Sequence, residues 1–115
     1  MSDVFTAAVE RLSRVSGVRG AMIVEADAAV PVVSELSEGV NGTAVAALAA
    51  SLFRRTGQAS ETASFGRLAT LQLEAEDGHV VVVGAGELIL VVIAERSAQL
   101  GLVRLEAHRA AESLE

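Results

Sequence analysis

The sequence contains no cysteine, no tryptophan, no tyrosine and only one proline among its 115 residues. Without cysteine the chain forms no disulfide, offers no thiolate for catalysis and holds no metal through sulfur. Its only aromatic side chains are three phenylalanines. These are too few for the stacking platform on which the bases of single-stranded nucleic acid bind.

Basic residues and long apolar runs are also scarce. Nine Lys and Arg residues stand against fifteen Asp and Glu, and the formal net charge of −6 argues against a phosphate-binding surface. The longest apolar run, Leu88–Ala94, is far shorter than the roughly 20 residues that span a bilayer. The first residues are amphipathic with mixed charge, unlike a signal peptide. We therefore expect a cytoplasmic protein with no nucleic-acid partner and no membrane insertion.

Potential catalytic groups are few and scattered. His79 and His108 have no neighbour at the spacing of metal ligands, and Glu74, Glu76 and Asp77 surround a turn where water would solvate them. No phosphate-binding loop pattern is present, so the chain is not itself a GTPase or an ATPase. The sequence therefore predicts no catalytic residue, no cofactor and no metal site.

Hydrophobic residues, in contrast, are abundant. They make up 51% of the chain, and the mean hydropathy is +0.47. The length fits one domain, residues 1–115. A domain of this size buries about two-thirds of its unfolded surface, so many apolar side chains stay at the surface. We therefore expect a large interface with another protein.

Eight segments have the periodicity of regular secondary structure. Helical spacing of apolar residues marks 4–15, 43–56 and 97–114, and Gly57 stands where the second helix should stop, with 58–64 either a polar loop or a frayed continuation of the helix. Strand-length runs lie at 20–26, 29–35, 67–76, 79–84 and 88–94. The order helix, two strands, helix, three strands, helix predicts an α/β sandwich, with one five-stranded sheet and helices on both faces.

Three details predict where the strands lie in this sheet. Pro31 cannot donate to a strand ladder, so the second strand should be an edge or carry a bulge. Asp77-Gly78 is typical of a two-residue hairpin turn, which makes the last three strands antiparallel. The run 88–94 is apolar at every position, as expected for a central strand.

The middle helix is apolar almost all the way round. The bulky arc of its helical wheel, which we expect to face the sheet, holds Val45, Leu48, Ala49, Leu52, Phe53 and Thr56. The opposite arc carries small side chains and one charge: Ala44, Ala46, Ala47, Ala50, Ser51 and Arg54. We expect a second copy of the helix to cover this small face, since two-fold homodimers are the commonest oligomers. The alternative is an exposed alanine-rich face selected for helix propensity.

The strand 67–76 points to the same homodimer. If it lies at the edge of the sheet, its regular alternation leaves an unprotected row of backbone groups, which pairing with its own copy would satisfy. Arg54 and Arg55 form an exposed basic pair near the end of the middle helix. An arginine supplied in trans to a GTPase stabilises charge in phosphoryl transfer. The alternative is a favourable interaction of both side chains with the helix C-terminus.

Four segments together resemble the roadblock/dynein light chain family, whose bacterial members include MglB-type regulators of Ras-like GTPases. They read LSRVSGVRGAMIVEAD, AALAASLFRRTG, FGRLATLQLEAEDGHVVVVGAGELILVVIAE and LGLVRLEAHRAAESL. The resemblance implies a roadblock/profilin-like antiparallel sheet with one helix on one face and two on the other. The first hairpin departs from the family pattern, because Asp27-Ala28-Ala29 lacks the usual glycine.

The resemblance also implies a homodimer whose middle helices pack together and whose third strands pair. By position, the dimer and partner surface of the family falls on Ala46, Ala47, Ala50, Phe53, Arg54, Leu68, Thr70 and Gln72. The implied function is a non-enzymatic regulator that binds a Ras-like small GTPase and modulates its nucleotide cycle. The first alternative is a dimeric scaffold without effect on GTPase activity. The second is a small-ligand sensor, for which few polar groups converge.

Overall fold

A computed structural model describes residues 2–115, with side chains from residue 4 onward. The elements follow the predicted order of helix, two strands, helix, three strands and helix. In chain order they are α1 (Ser2–Ser13), β1 (Val18–Glu25), β2 (Val30–Leu36), α2 (Gly42–Thr62), β3 (Thr70–Ala75), β4 (Gly78–Ala85), β5 (Leu88–Ala94) and α3 (Leu100–Glu112).

The five strands form one antiparallel sheet in the order β2-β1-β5-β4-β3. Strand β5 lies in the centre, as its apolar sequence predicts, and most of its side chains are buried. The predicted turn at Asp77-Gly78 joins β3 to β4, with Ala75 facing Gly78 across the hairpin. Strands β3 and β4 form one hairpin, and β4 and β5 form the next. Strand β3 therefore pairs only with β4 and lies at one edge of the sheet.

Strand β2 forms the opposite edge and contains an irregularity. Its register against β1 shifts between Ile23 and Val24, next to the partner Pro31. Both features predicted from this proline, an edge strand and a bulge, are therefore confirmed. The turn that precedes β2 contains Ala29 with a positive φ of 58°. The Glu25 carboxylate accepts a 2.7 Å hydrogen bond from the backbone N–H of Ala28 and stabilises this turn without glycine.

Helices α1 and α3 cover one face of the sheet, and α2 covers the other, so the sheet separates two hydrophobic cores. On the α1/α3 side the largest buried side chains are Val9, Leu12, Ile23, Val81, Leu90, Val92 and Val103. On the α2 side the core consists of Met22, Val24, Ala46, Ala49, Ala50, Val82, Ile89 and Val91. The layers match the predicted sandwich of one helix, the sheet and two helices.

Helix α2 is longer than the sequence predicts. The expectation that Gly57 ends it is wrong, because the helix continues to Thr62. The chain reverses instead at Ser64 and Gly66, which have positive φ values of 70° and 88°. A Cβ atom added to Gly57 would lie 3.8 Å from the Leu68 Cβ, an ordinary packing distance. Gly57 is thus an interior helical residue over which the next loop passes.

We expect the substitution Gly57→Ala to stabilise the protein by about 0.5–1 kcal/mol, since alanine restricts the unfolded chain and fits the helix. The matched control is Gly17→Ala. Gly17 has a φ of 87°, and its added Cβ would lie 2.7 Å from the Ala98 Cβ, so this variant should lose stability. Urea unfolding followed by circular dichroism measures both changes. A Gly57→Ala variant less stable than the wild type would contradict the interior assignment.

Candidate interaction surface on helix α2 and strand β3

Three small residues of α2 face the sheet, and Val45 and Phe53 pack at the margin of the same core. Ala46, Ala49 and Ala50 are at most 1% exposed and belong to the core on this side. The predicted rotation of the helix is therefore only partly right: Ala49 and Phe53 face the sheet as expected, whereas Leu48 does not. Ala46 and Ala50, predicted to face outward, lie beneath α2, where no partner can reach them. The reason is steric: this sheet face carries branched side chains and a methionine, so alanine lets the helix pack closely, and the larger Phe53 lies over Gly84, which has no side chain.

Arg54 fixes the side of α2 that faces the β1–β2 hairpin. Its guanidinium donates hydrogen bonds to the carbonyl oxygens of Ala26 at 2.9 Å and Asp27 at 3.4 Å. Leu48 and Leu52, which are six and two positions before Arg54, project from the other side of the helix. Leu48 is 43% exposed, although it is a large hydrophobic residue, and Leu52 is half-buried.

The α2 side of β3 is also only partly covered. Helix α2 lies nearest β2, at the far edge of the sheet, so β3 extends beyond its cover. Leu71 and Leu73 are half-buried there, and Leu71 packs against the edge of the α2-side core. We call these four partly or largely exposed leucines the α2–β3 surface, defined by Leu48, Leu52, Leu71 and Leu73. The described residues of the chain cover it only in part.

The opposite side of β3 is polar and contacts α3. The Thr70 hydroxyl and the His108 Nε2 form a 3.0 Å hydrogen bond, and the Arg104 guanidinium donates a 3.4 Å bond to the Gln72 side-chain oxygen. These contacts hold two of the side chains on this face of the edge strand. Strand β3 therefore has a leucine face and a polar face, as its alternating sequence indicates.

The eight residues assigned to the interface by resemblance occupy five different environments. Ala46 and Ala50 are buried, Ala47 is exposed and Arg54 is bonded to the hairpin. Phe53 and Leu68 line an open pocket of about 550 Å³ at one end of the sheet. Thr70 and Gln72 lie on the free edge of β3. The resemblance thus places the strand residues on the surface but misplaces two positions of the helix.

Leu48, Leu52 and Leu73 were not among the predicted positions, and Leu71 was included only as part of the strand segment 68–72 that the resemblance assigned to the interface. Leu48 and Leu52 were assigned to the sheet because large apolar residues are usually buried. The number of bulky apolar residues on α2 could have indicated their position. A helix that is apolar all round has more bulky side chains than one face of a sheet can bury. The alternating sequence of the strand predicted that Leu71 and Leu73 share one face, but it did not predict what covers that face.

The remaining titratable groups do not converge on a site. His79 is buried, 6% exposed, with its Nε2 3.4 Å from the Arg96 carbonyl oxygen. Within residues 2–115 no group of three or more His, Asp or Glu side chains is placed to hold a metal ion. None of the described helices combines the length and the apolar character needed to cross a membrane.

The fold and its uncovered edge define a sandwich of the roadblock type. Residues 5–94 match the family model of the Roadblock/LC7 domain. The chain belongs to this family. An uncharacterised protein of Methanocaldococcus jannaschii is 34% identical over 103 residues, which cover 90% of this chain and 90% of that protein.

Two solved structures show how widely this fold is shared. MglB of Myxococcus xanthus has a TM-score of 0.87 at 21% identity, covering 97% of this chain and 85% of that chain. Profilin IB of Acanthamoeba castellanii has a TM-score of 0.64 at 17% identity, covering 96% and 95%. The predicted roadblock/profilin-like fold is confirmed by both.

The corrected rotation of α2 predicts opposite effects for two neighbouring substitutions. Ala50→Glu would bury a carboxylate against Val82 and Val91, and we expect it to cost about 4 kcal/mol or more. Ala47→Glu introduces the same charge at an exposed position and should change stability by less than about 1 kcal/mol. Thermal unfolding distinguishes the two. If both variants unfolded at the same temperature as the wild type, the sequence-based prediction that Ala50 faces away from the sheet would be correct after all.

Proposed function

We propose that the protein is a non-enzymatic, homodimeric regulatory module that binds a Ras-like small GTPase and modulates its nucleotide cycle. Membership of the Roadblock/LC7 family supports the class of function. One structural observation supports the proposal of a homodimer. The α2–β3 surface joins exposed leucines to a strand edge with unpaired backbone groups, and a second copy offers the same two features.

The composition of the surface suits an interface between copies of the chain. Leucines on one helix and one strand can interdigitate with those of a symmetric partner and leave the acidic groups at the rim, where water solvates them. A dimer of this kind places two α2 helices next to each other. The outward residues of the paired helices then form a platform that is larger than either copy offers, and this platform is where we place the GTPase.

Arg55 is the basic group of α2 best placed to act on a bound GTPase. Arg54 is occupied by the hairpin carbonyls, whereas Arg55 is exposed and forms no hydrogen bond or ion pair with the residues described. An arginine in trans raises GTP hydrolysis by stabilising charge on the transferring phosphate. Binding alone can also change the cycle by stabilising one switch conformation.

The homodimer is tested by the substitution Leu48→Glu, measured by light scattering over a range of concentrations. The wild type should have the mass of a dimer. A carboxylate in the interface core should weaken association about 30-fold or more, the effect of losing about 2 kcal/mol. Val32→Glu is the matched control, because Val32 has a similar exposure of 47% but lies on the opposite edge strand. A monomeric wild type would contradict the proposal.

The regulatory role is tested with a Ras-like GTPase encoded by the same genome. GTP hydrolysis and GDP release are measured with and without the wild type, Arg55→Ala and Leu48→Glu. We expect the wild type to change at least one rate and Leu48→Glu to lose the effect. Arg55→Ala should reduce only a stimulation of hydrolysis. Binding that is equally tight for the GDP and GTP forms, with both rates unchanged, would identify a scaffold instead.

A further inference from the structure

Helices α1 and α3 lie side by side on the face of the sheet opposite α2. Helix α1 packs on β1 and β2, whereas α3 packs on β4 and β5. The Glu95 N–H donates a 2.8 Å hydrogen bond to the Gly17 carbonyl oxygen, which holds the chain just after α1 next to the chain just before α3. The C-terminal end of α1 therefore lies beside the N-terminal end of α3, and the two helices are antiparallel.

Three arginines lie where these helices meet, and they share one carboxylate. Glu106 of α3 forms ion pairs with Arg11 at 3.8 Å and with Arg109 at 3.4 Å, and the two arginine side chains remain 68% and 57% exposed. Arg14 follows α1, is exposed and forms no ion pair within residues 4–115. Glu10, on the outer side of α1, pairs with none of them. Positive charge is therefore in excess here, although the whole chain has a net charge of −6.

Two exposed leucines of α3 lie beside these arginines. Leu102 is 41% exposed and Leu105 is 47% exposed. At 100° per residue, Leu102, Leu105 and Arg109 lie within an arc of about 60°. This arc is opposite the buried residues of the helix, which are Val103, Ala107, Ala110 and Ala111. Leu102 also lines a depression of about 230 Å³ together with Ser16, two residues after Arg14. We call this surface the α1–α3 seam, defined by Arg11, Arg14, Leu102, Leu105, Glu106 and Arg109.

We propose that the α1–α3 seam binds an acidic amphipathic helix of another protein. The two leucines suit the apolar stripe of such a helix, whose anchoring side chains recur every three or four residues. The three arginines suit glutamate or aspartate side chains beside that stripe. A guanidinium group pairs with a carboxylate through two parallel hydrogen bonds, so these contacts would also fix the direction of the bound helix.

The charge of the seam disfavours two other occupants. A second copy of the seam would bring arginines together with arginines, and like charges repel. Anionic membranes are bound by clusters of about four to eight basic residues, whereas the seam has three arginines and one glutamate. The seam and the α2–β3 surface lie on opposite faces of the sheet, so this proposal goes beyond the proposed function and does not rest on the homodimer. A chain with both surfaces can bind two different proteins at once.

The test is a selection of peptides on the immobilised wild-type chain. The probe is a phage-displayed library of protein fragments from the same genome, each of about 25 residues, which is long enough for several helical turns. We expect the enriched fragments to be acidic and to carry large apolar residues at helical spacing. The most enriched fragment is then titrated as a synthetic peptide by fluorescence anisotropy. Replacing both Leu102 and Leu105 by glutamine should weaken binding about 10-fold or more, and Arg14→Glu should have an effect of similar size.

Two substitutions in the loop between α2 and β3 are matched controls. Phe65→Gln removes an apolar side chain that is 86% exposed, and Arg67→Glu reverses the charge of an exposed arginine. Neither residue belongs to the seam, so each variant should bind the peptide as tightly as the wild type, and circular dichroism confirms that all variants are folded.

Three outcomes would overturn the proposal. The first is the enrichment of fragments that lack the acidic and apolar pattern. The second is a peptide that binds the seam variants as tightly as the wild type. The third is a selection that enriches no fragment, and binding of the wild type to phosphatidylglycerol vesicles would then identify a membrane surface as the occupant. None of these outcomes depends on whether the wild type is a dimer or binds a GTPase.

Discussion

The close approach of α2 to the sheet is the contact on which the rest of the surface depends. Ala46, Ala49 and Ala50 let the helix lie low over a face of valine, isoleucine and methionine side chains. A helix that faced the sheet with its leucines would lie further from the sheet, and the leucines would be buried in the core. Because alanine makes the contact, the leucines remain at the side of the helix, and the molecule has a well-packed core together with an uncovered apolar surface.

The strands were largely predictable from local sequence. Pro31 marked the edge and the bulge of β2, Asp77-Gly78 marked a hairpin, and the wholly apolar β5 marked the centre of the sheet. Each of these signals reflects a backbone requirement that only a few residues meet. Such requirements act on a few neighbouring residues, so they can be inferred without knowing what packs on the strand.

The rotation and the end of α2 were not predictable in this way. A helical wheel locates the buried side when the other side is polar, and here both arcs are apolar, so shape complementarity to the sheet decides. Gly57 has the local signature of a helix stop, yet the helix continues to Thr62, and the left-handed conformation is adopted by Ser64 instead. The contacts from Thr70 to His108 and from Gln72 to Arg104 join distant segments. Sequence spacing carries no information about them.

The difference between the two edge strands has a consequence for assembly size. A sheet with two equally open edges adds copies at both ends and grows into a fibre. Here β3 presents a regular edge, whereas β2 contains Pro31, which offers no N–H, and a bulge that distorts the ladder. Two copies joined through β3 would leave a β2 strand at each outer margin. In such a dimer, growth through the sheet would stop at two copies, because the proline and the bulge of β2 would disfavour the addition of a further strand.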